Sequence, residues 1–276
     1  MKLISAIVLT VGLQLALPAA DIICTSYPVW LLTRALTQDV PGIKLQLIQR
    51  SGSGCSHEYT PSPQDMRKVT PRGAILIGCG KTDAHILQAA LKVNDSLQVI
   101  SADTRINAPD DHTFASPHTA RQMCINIAGE LGKIDPANQT LYQKNLHNFC
   151  TRLDKLIIKA QNLSGQGDYV VLQSAVFINL AILTQRKFIL LKHEKSDSMR
   201  PGAMIKVLKS ARCHHAVMIW AEPHSHDSTV KVFSRESRLK SVELDPLLSG
   251  PENPPPDYYI KVMDRNLDAI ERSARR

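Results

Sequence analysis

Four short polar segments carry residues able to hold a metal ion: Ser56-His57-Glu58-Tyr59, Asp110-Asp111-His112, Gln173-Ser174 and Asp245-Pro246. Each follows a short apolar run that reads as a β-strand, at residues 43–48, 97–100, 169–172 and 241–244. Ligands of open α/β sheets bind beyond the carboxyl ends of the strands, so this placement gathers two imidazoles, an amide and a carboxylate. Such donors suit a divalent transition ion, with the neutral amide oxygen of Gln173 the weakest of them. Taken singly, each segment is ordinary: a loop histidine is usually a solvated hydrogen-bonding group, and Asp-Pro is a common turn.

Other histidines carry less. His214 and His215 enter an apolar strand, where adjacent side chains point to opposite faces. His224 and His226 flank a serine in the loop after Glu222-Pro223 and read as surface groups, with a secondary metal site there as the sharper alternative. No H-E-x-x-H pair is present, so the open metal position and adjacent base of a zinc hydrolase lack their usual helix-borne frame. There is no C-x-x-C among the six cysteines, which argues against a zinc ribbon or a thioredoxin-type centre. Cys55 stands two residues before His57, and Cys79 ends a strand of the same half. A thiolate at Cys55 would be a better zinc ligand than Gln173, with Glu58 a lesser candidate. In an oxidising compartment a Cys55–Cys79 disulfide is the favoured reading.

The elements that must position these residues alternate along the chain. Strands are predicted at 22–25, 43–48, 74–77 and 97–100 with helices near 29–36 and 84–91. The rhythm returns with strands at 169–172, 188–191, 216–220 and 241–244 and helices near 175–183, 201–211 and 229–237. Short apolar runs alternating with helices indicate βαβ units and parallel sheets. Aromatic residues make up only 5% of the chain, so aliphatic side chains must fill both cores. Between the halves, Asp135-Pro136 reads as a helix start, followed by apolar positions at helical spacing as far as Ala160 and a stop at Ser164-Gly165. A helix over 136–163 would be about 42 Å long, enough to tie two lobes together. The expected architecture is α/β: two lobes with parallel sheets joined by one long rigid linker helix, the metal site in the cleft between them. The boundaries are 1–20 for a signal peptide, 21–134 for the first lobe, 135–164 for the linker and 165–276 for the second lobe.

The signal peptide is read from Lys2, the apolar stretch over 3–17 and the small residues Pro18-Ala19-Ala20 before Asp21. Cleavage near Ala20 would leave a soluble protein outside the cytoplasm, in the periplasm. Cys24 follows Ile22-Ile23 instead of the small residues that lipid attachment requires. The net charge of +8 comes from scattered lysines and arginines with no basic run and few aromatics between them, which excludes a nucleic-acid surface.

At the polar segments the chain resembles the zinc- and manganese-binding solute receptors of bacterial ABC transporters. ICTSYP (23–28) is similar to the family's opening strand and turn, HEYTPSPQD (57–65) to its first-ligand motif, and DDHTFASP (110–117) to its second. IDPANQTLYQKNLHNF (134–149) resembles the start of the linker helix; AEP (221–223), LDPL (244–247) and YIKVMDRNLDAI (259–270) complete the series in order. The resemblance implies His57 as first ligand, His112 as second, Gln173 at the third position and Asp245 as fourth, holding zinc, or manganese or iron, as cargo. It implies a monomer that serves a membrane permease and its ATPase and is not an enzyme. The third position departs from the family's histidine or glutamate. Thr60, Phe114, Ser116, Asp83 and His85 replace the usual glutamate, tryptophan, aspartate, glutamate and tryptophan. Groups around a ligand tune affinity, so an altered receptor acting as an accessory or adhesion protein is the alternative, and a zinc hydrolase a more distant one.

Overall fold

The computed structural model describes residues 20–49, 54–191, 201–223 and 228–274. The signal segment and the pair His224/His226 therefore lie outside the described residues, apart from Ala20, which already belongs to the first strand.

The first half lays down β1 (Ala20–Cys24), α1 (Tyr27–Leu36), β2 (Ile43–Leu47), the short α2 (Pro63–Met66), β3 (Ile75–Gly78), α3 (Ala84–Val93) and β4 (Gln98–Ser101). Its four strands are parallel in the order β2-β1-β3-β4. The second half repeats the plan with β5 (Tyr169–Leu172), α6 (Ile178–Leu183), β6 (Lys187–Leu190), α7 (Pro201–Cys213), β7 (Met218–Ala221), α8 (Ser228–Ser237) and β8 (Lys240–Glu243), in the order β6-β5-β7-β8. The helices α4 (Pro117–Ile134), α5 (Gln139–Gln161) and α9 (Tyr258–Ala274) lie outside these two runs. Parallel strands need helical crossovers, which cover both faces of each sheet and explain why the central strands β3 (ILIG), β5 (YVVL) and β7 (MIWA) are nearly all apolar, whereas the outer strands carry exposed polar residues. Alternate residues serve different cores: Ile22 and Cys24 of β1 join the large central cluster, while Ile23 joins Ile48, Leu76 and Ile86 on the far face. In the second sheet Val170 and Leu172 face the central cluster, and Val171 packs with Ile219 and Phe233.

The linker helix expected over 136–163 is present between the sheets, three residues shorter at its start and two at its end. Pro136–Asn138 is a 3-10 turn, and the long helix α5 runs from Gln139 to Gln161, 23 residues or about 35 Å. It is preceded by an 18-residue helix, α4 (Pro117–Ile134), and the two form an antiparallel hairpin. Asp135 stands at the N-cap position before Pro136, as expected, and its carboxylate accepts from Asn138 Nδ2 at 2.8 Å and Tyr142 Oη at 2.9 Å, closing the hairpin turn. Met123, Cys124, Ile127 and Leu131 of α4 are buried along one stripe, as are Tyr142, Phe149, Leu153 and Leu156 of α5. The chain ends in α9 (Tyr258–Ala274), which packs on α5 and α1. Lys159 of α5 bridges to Asp264 at 2.5 Å and Asp268 at 2.7 Å on α9. The buried Arg186 donates to the carbonyls of Ser164 and Gly165 just past α5, fixing the second sheet to the spine.

Candidate metal site

The loop after β2 reaches its first histidine on a 3-10 turn over Ser56–Glu58, closed by the Glu58 N–H donating to the Cys55 carbonyl at 3.1 Å. The segment that follows is pinned by a capping box at the start of α2. Ser62 Oγ accepts from the Asp65 N–H, and the Asp65 carboxylate accepts from the Ser62 N–H at 2.8 Å and the Tyr59 hydroxyl at 2.7 Å. His85 of α3 donates from Nε2 to the Tyr59 carbonyl at 2.8 Å. His57 is thus carried between two anchored residues.

After β4 the chain passes Asp110 to His112 and enters a second 3-10 turn, Thr113–Ala115, before α4. Asp110 Oδ1 accepts from the His112 N–H at 2.9 Å and from Nδ1 at 2.6 Å. The carboxylate thereby fixes the ring with Nε2 turned away from it, as in a carboxylate–histidine–metal arrangement. Burial disfavours the charged imidazole, but Asp110 and the Cys55 sulfur outweigh it, and the His112 pKa is pushed up to about 10.

These two loops meet. The His57 and His112 rings lie edge to face with centroids 5.1 Å apart. Cys55 Sγ stands 3.4 Å from His112 Nε2. Among the described residues, Cys55, His57 and His112 are the three potential ligands whose donor atoms all fall within 4.8 Å of one another. The disulfide favoured from sequence is absent: all six cysteines are free, and Cys79 is fully buried. Desolvation raises the Cys79 thiol pKa well above its ordinary value.

The second-lobe pair is placed differently. Gln173 ends β5 and is only 7% exposed; its side-chain oxygen accepts from the Glu222 N–H at 2.8 Å. Ser174 Oγ donates to the Glu222 carboxylate at 3.0 Å. Asp245 follows β8, and its Oδ1 accepts from the Leu247 N–H at 2.8 Å. Burial raises its pKa, and its charge in turn contributes to raising that of Tyr27, which belongs to the first lobe. Asp245 is not a member of the Cys55–His57–His112 cluster.

Residues 22–273 match the family model described as zinc-uptake complex component A, periplasmic (ZnuA). The chain belongs to that family. It is 23% identical over 280 residues to the high-affinity zinc uptake system protein ZnuA of Bacillus subtilis, covering 91% of this chain and 86% of the relative. It is 22% identical over 262 residues to the manganese ABC transporter substrate-binding lipoprotein PsaA of Streptococcus anginosus, covering 85% and 84%. Among solved structures, FpvC of Pseudomonas aeruginosa in complex with Mn2+ superposes with a TM-score of 0.81 at 21% identity, covering 93% of this chain and 98% of that one. The fold is therefore that of the two-lobed receptors. Cys24 of this ZnuA-family chain has zero exposure inside β1, its thiol pKa driven up to about 12 by burial.

One further feature of this ZnuA-family site escaped the sequence. Asn179, at the start of α6 in the second half, donates from Nδ2 to the carbonyls of Asp110 at 2.9 Å and His112 at 3.1 Å. Nothing in its sequence context marks it, because the contact joins positions far apart in the chain. Asp83 is fully buried beneath the first lobe's strand ends. It accepts from Thr25 Oγ1, the Cys79 N–H at 2.9 Å and Thr82 Oγ1 at 3.0 Å. Gly78 makes room for this network, since a Cβ there would sit 2.8 Å from the Thr25 side chain.

Proposed function

We propose that this protein is an exported receptor that captures a divalent transition metal in the interlobe cleft and delivers it to an ABC permease and its ATPase. The observation that carries this reading is the side-by-side placement of His57 and His112 at the strand ends of the first lobe. Imidazole pairs with a nearby carboxylate suit zinc, manganese and iron, and raw affinity favours zinc among the three. His57 and His112 take the ion first. Asp245 supplies a carboxylate from the second lobe; burial has made it reluctant to ionise alone, and a cation beside it reverses that preference. Gln173, whose side-chain oxygen already accepts the Glu222 N–H, is the weakest donor of the set, and it or water completes the shell. The spine of α4 and α5 keeps the motion between lobes small.

Export supports the same role. The Lys2-plus-apolar leader over 1–20 predicts a periplasmic product whose mature chain begins near Asp21, acting as a monomer.

Elemental analysis of the exported protein, followed by competition with a chelator of known strength, tests the reading. A stoichiometric transition metal that is lost in His112→Ala supports it. A metal-free protein that takes up no zinc, or a His112→Ala variant that binds as tightly as the parent, refutes it.

A further inference from the structure

We propose that Cys55 is a third metal ligand, so that the first lobe alone presents a Cys-His-His face to a thiophilic cation. This deepens the receptor reading and rests on it.

The geometry is that of a tetrahedral edge. Zinc binds sulfur at about 2.3 Å and imidazole nitrogen at about 2.0–2.1 Å, which places two such donors about 3.5 Å apart on a tetrahedron. The Cys55 Sγ to His112 Nε2 separation is 3.4 Å. His57 offers the third vertex, with all three donor atoms inside 4.8 Å. Asp110 holds Nδ1 of His112, leaving Nε2 as the nitrogen directed at the sulfur. On the other side, the carboxamide oxygen of Gln173 accepts the Glu222 N–H. A sulfur donor is thus provided in the first lobe, while the second lobe offers the Asp245 carboxylate and a neutral amide that already accepts the Glu222 N–H.

A structural thiol or a disulfide half would account for a cysteine here less well. Cys55 is partly exposed, whereas Cys24, Cys79, Cys124 and Cys150 are buried; Cys213 is exposed on α7, in the second half. No sulfur partner is bonded to Cys55. When the ion binds, the thiol proton leaves to water and the sulfur lone pair forms the metal bond, because the thiolate is the ligand. Thiolate is a soft donor, so the site should rank zinc and cadmium far above manganese.

Cobalt(II) reports the sulfur directly. The wild-type cobalt complex should show thiolate-to-cobalt charge-transfer absorption in the near ultraviolet. Cys55→Ser should lose that band while keeping the weaker visible bands of histidine-bound cobalt, and should bind zinc about a hundredfold more loosely. Cys55→Asp, a hard donor at the same place, should lower the zinc-to-manganese affinity ratio by about a hundredfold. In a Cys213→Ser background, zinc should protect Cys55 from iodoacetamide, a measurement that leaves residue 55 unaltered. Cobalt bound with visible bands that His112→Ala removes, but with no sulfur band, overturns the role of Cys55 and leaves the receptor intact. Equal alkylation with and without zinc does the same. A wild-type protein that takes up neither cobalt nor zinc overturns the receptor reading and this inference together.

Discussion

The side-chain amide of Asn179 reaches from α6 to the main-chain carbonyl of His112, 3.1 Å away, and also holds the carbonyl of Asp110. One buried residue of the second half thereby fixes the loop that carries a first-lobe histidine. Tyr259 of α9 adds a second hold, its hydroxyl donating to the Phe114 carbonyl at 2.7 Å. Asn179→Ala removes two hydrogen bonds from a buried setting. It should cost about 1–3 kcal/mol in chemical denaturation and weaken zinc binding about tenfold in chelator competition. Unchanged binding in a destabilised variant would separate the fold from the site.

Asp110→Asn tests the orientation of the second imidazole. The amide keeps the shape but loses the charge that holds the ring, so zinc affinity should fall 10–100-fold, the usual range for a group behind a ligand. The His112 pKa should drop from about 10 toward its ordinary value. Histidine proton shifts followed through a pH titration of the metal-free protein check this.

The raised His112 pKa also fixes a pH dependence. The folded value lies above the ordinary 6.5. Its contribution to the stability of the metal-free protein is thus fully present below about 6.5 and is lost as pH rises through about 10. Metal binding has the opposite trend. The ion displaces the proton, so affinity should rise with pH across the neutral range, by about tenfold per unit for each proton released. Calorimetry in buffers of different ionisation enthalpy counts those protons.

Gln173→Ala should separate structure from ligation. The Glu222 N–H loses its acceptor, which costs about 1–3 kcal/mol of stability. Zinc affinity should move by no more than about threefold, since a neutral amide is the weakest donor of the set. A hundredfold loss in the competition assay would return Gln173 to the ion.

All eight strands were legible because each is a short apolar run between helical stretches, and the observed bounds fall within two residues of those read from sequence. The spine was legible only in part. The pattern 123, 124, 127, 131 that buries α4 is present in the sequence, but the DDHTFASP motif just before it drew attention to a loop. Asp135 stands at the N-cap position that the sequence marks, but its carboxylate's ties to Asn138 and Tyr142 across the hairpin turn have no signal there. The α9 helix was visible only as a family motif, without its ion pairs to Lys159. At the site, strand ends marked His57 and His112. The thiol of Cys55 was read through its compartment, as half of a disulfide, because sequence gives no direction to a side chain. Asn179 was invisible for the same reason: it matters through where α6 packs, not through its neighbours in the chain.

The α4–α5 hairpin has a consequence for traffic at the membrane. Two amphipathic helices packed along their apolar stripes and tied to both sheets oppose relative rotation of the lobes. In the proposed receptor role, loaded and empty copies would therefore present nearly the same outline. The transporter must tell them apart by small changes around the cleft, and empty copies should occupy its docking face almost as readily as full ones. Uptake would then fall when receptor greatly outnumbers both metal and permease, so the expression level of this chain sets an upper as well as a lower bound on supply.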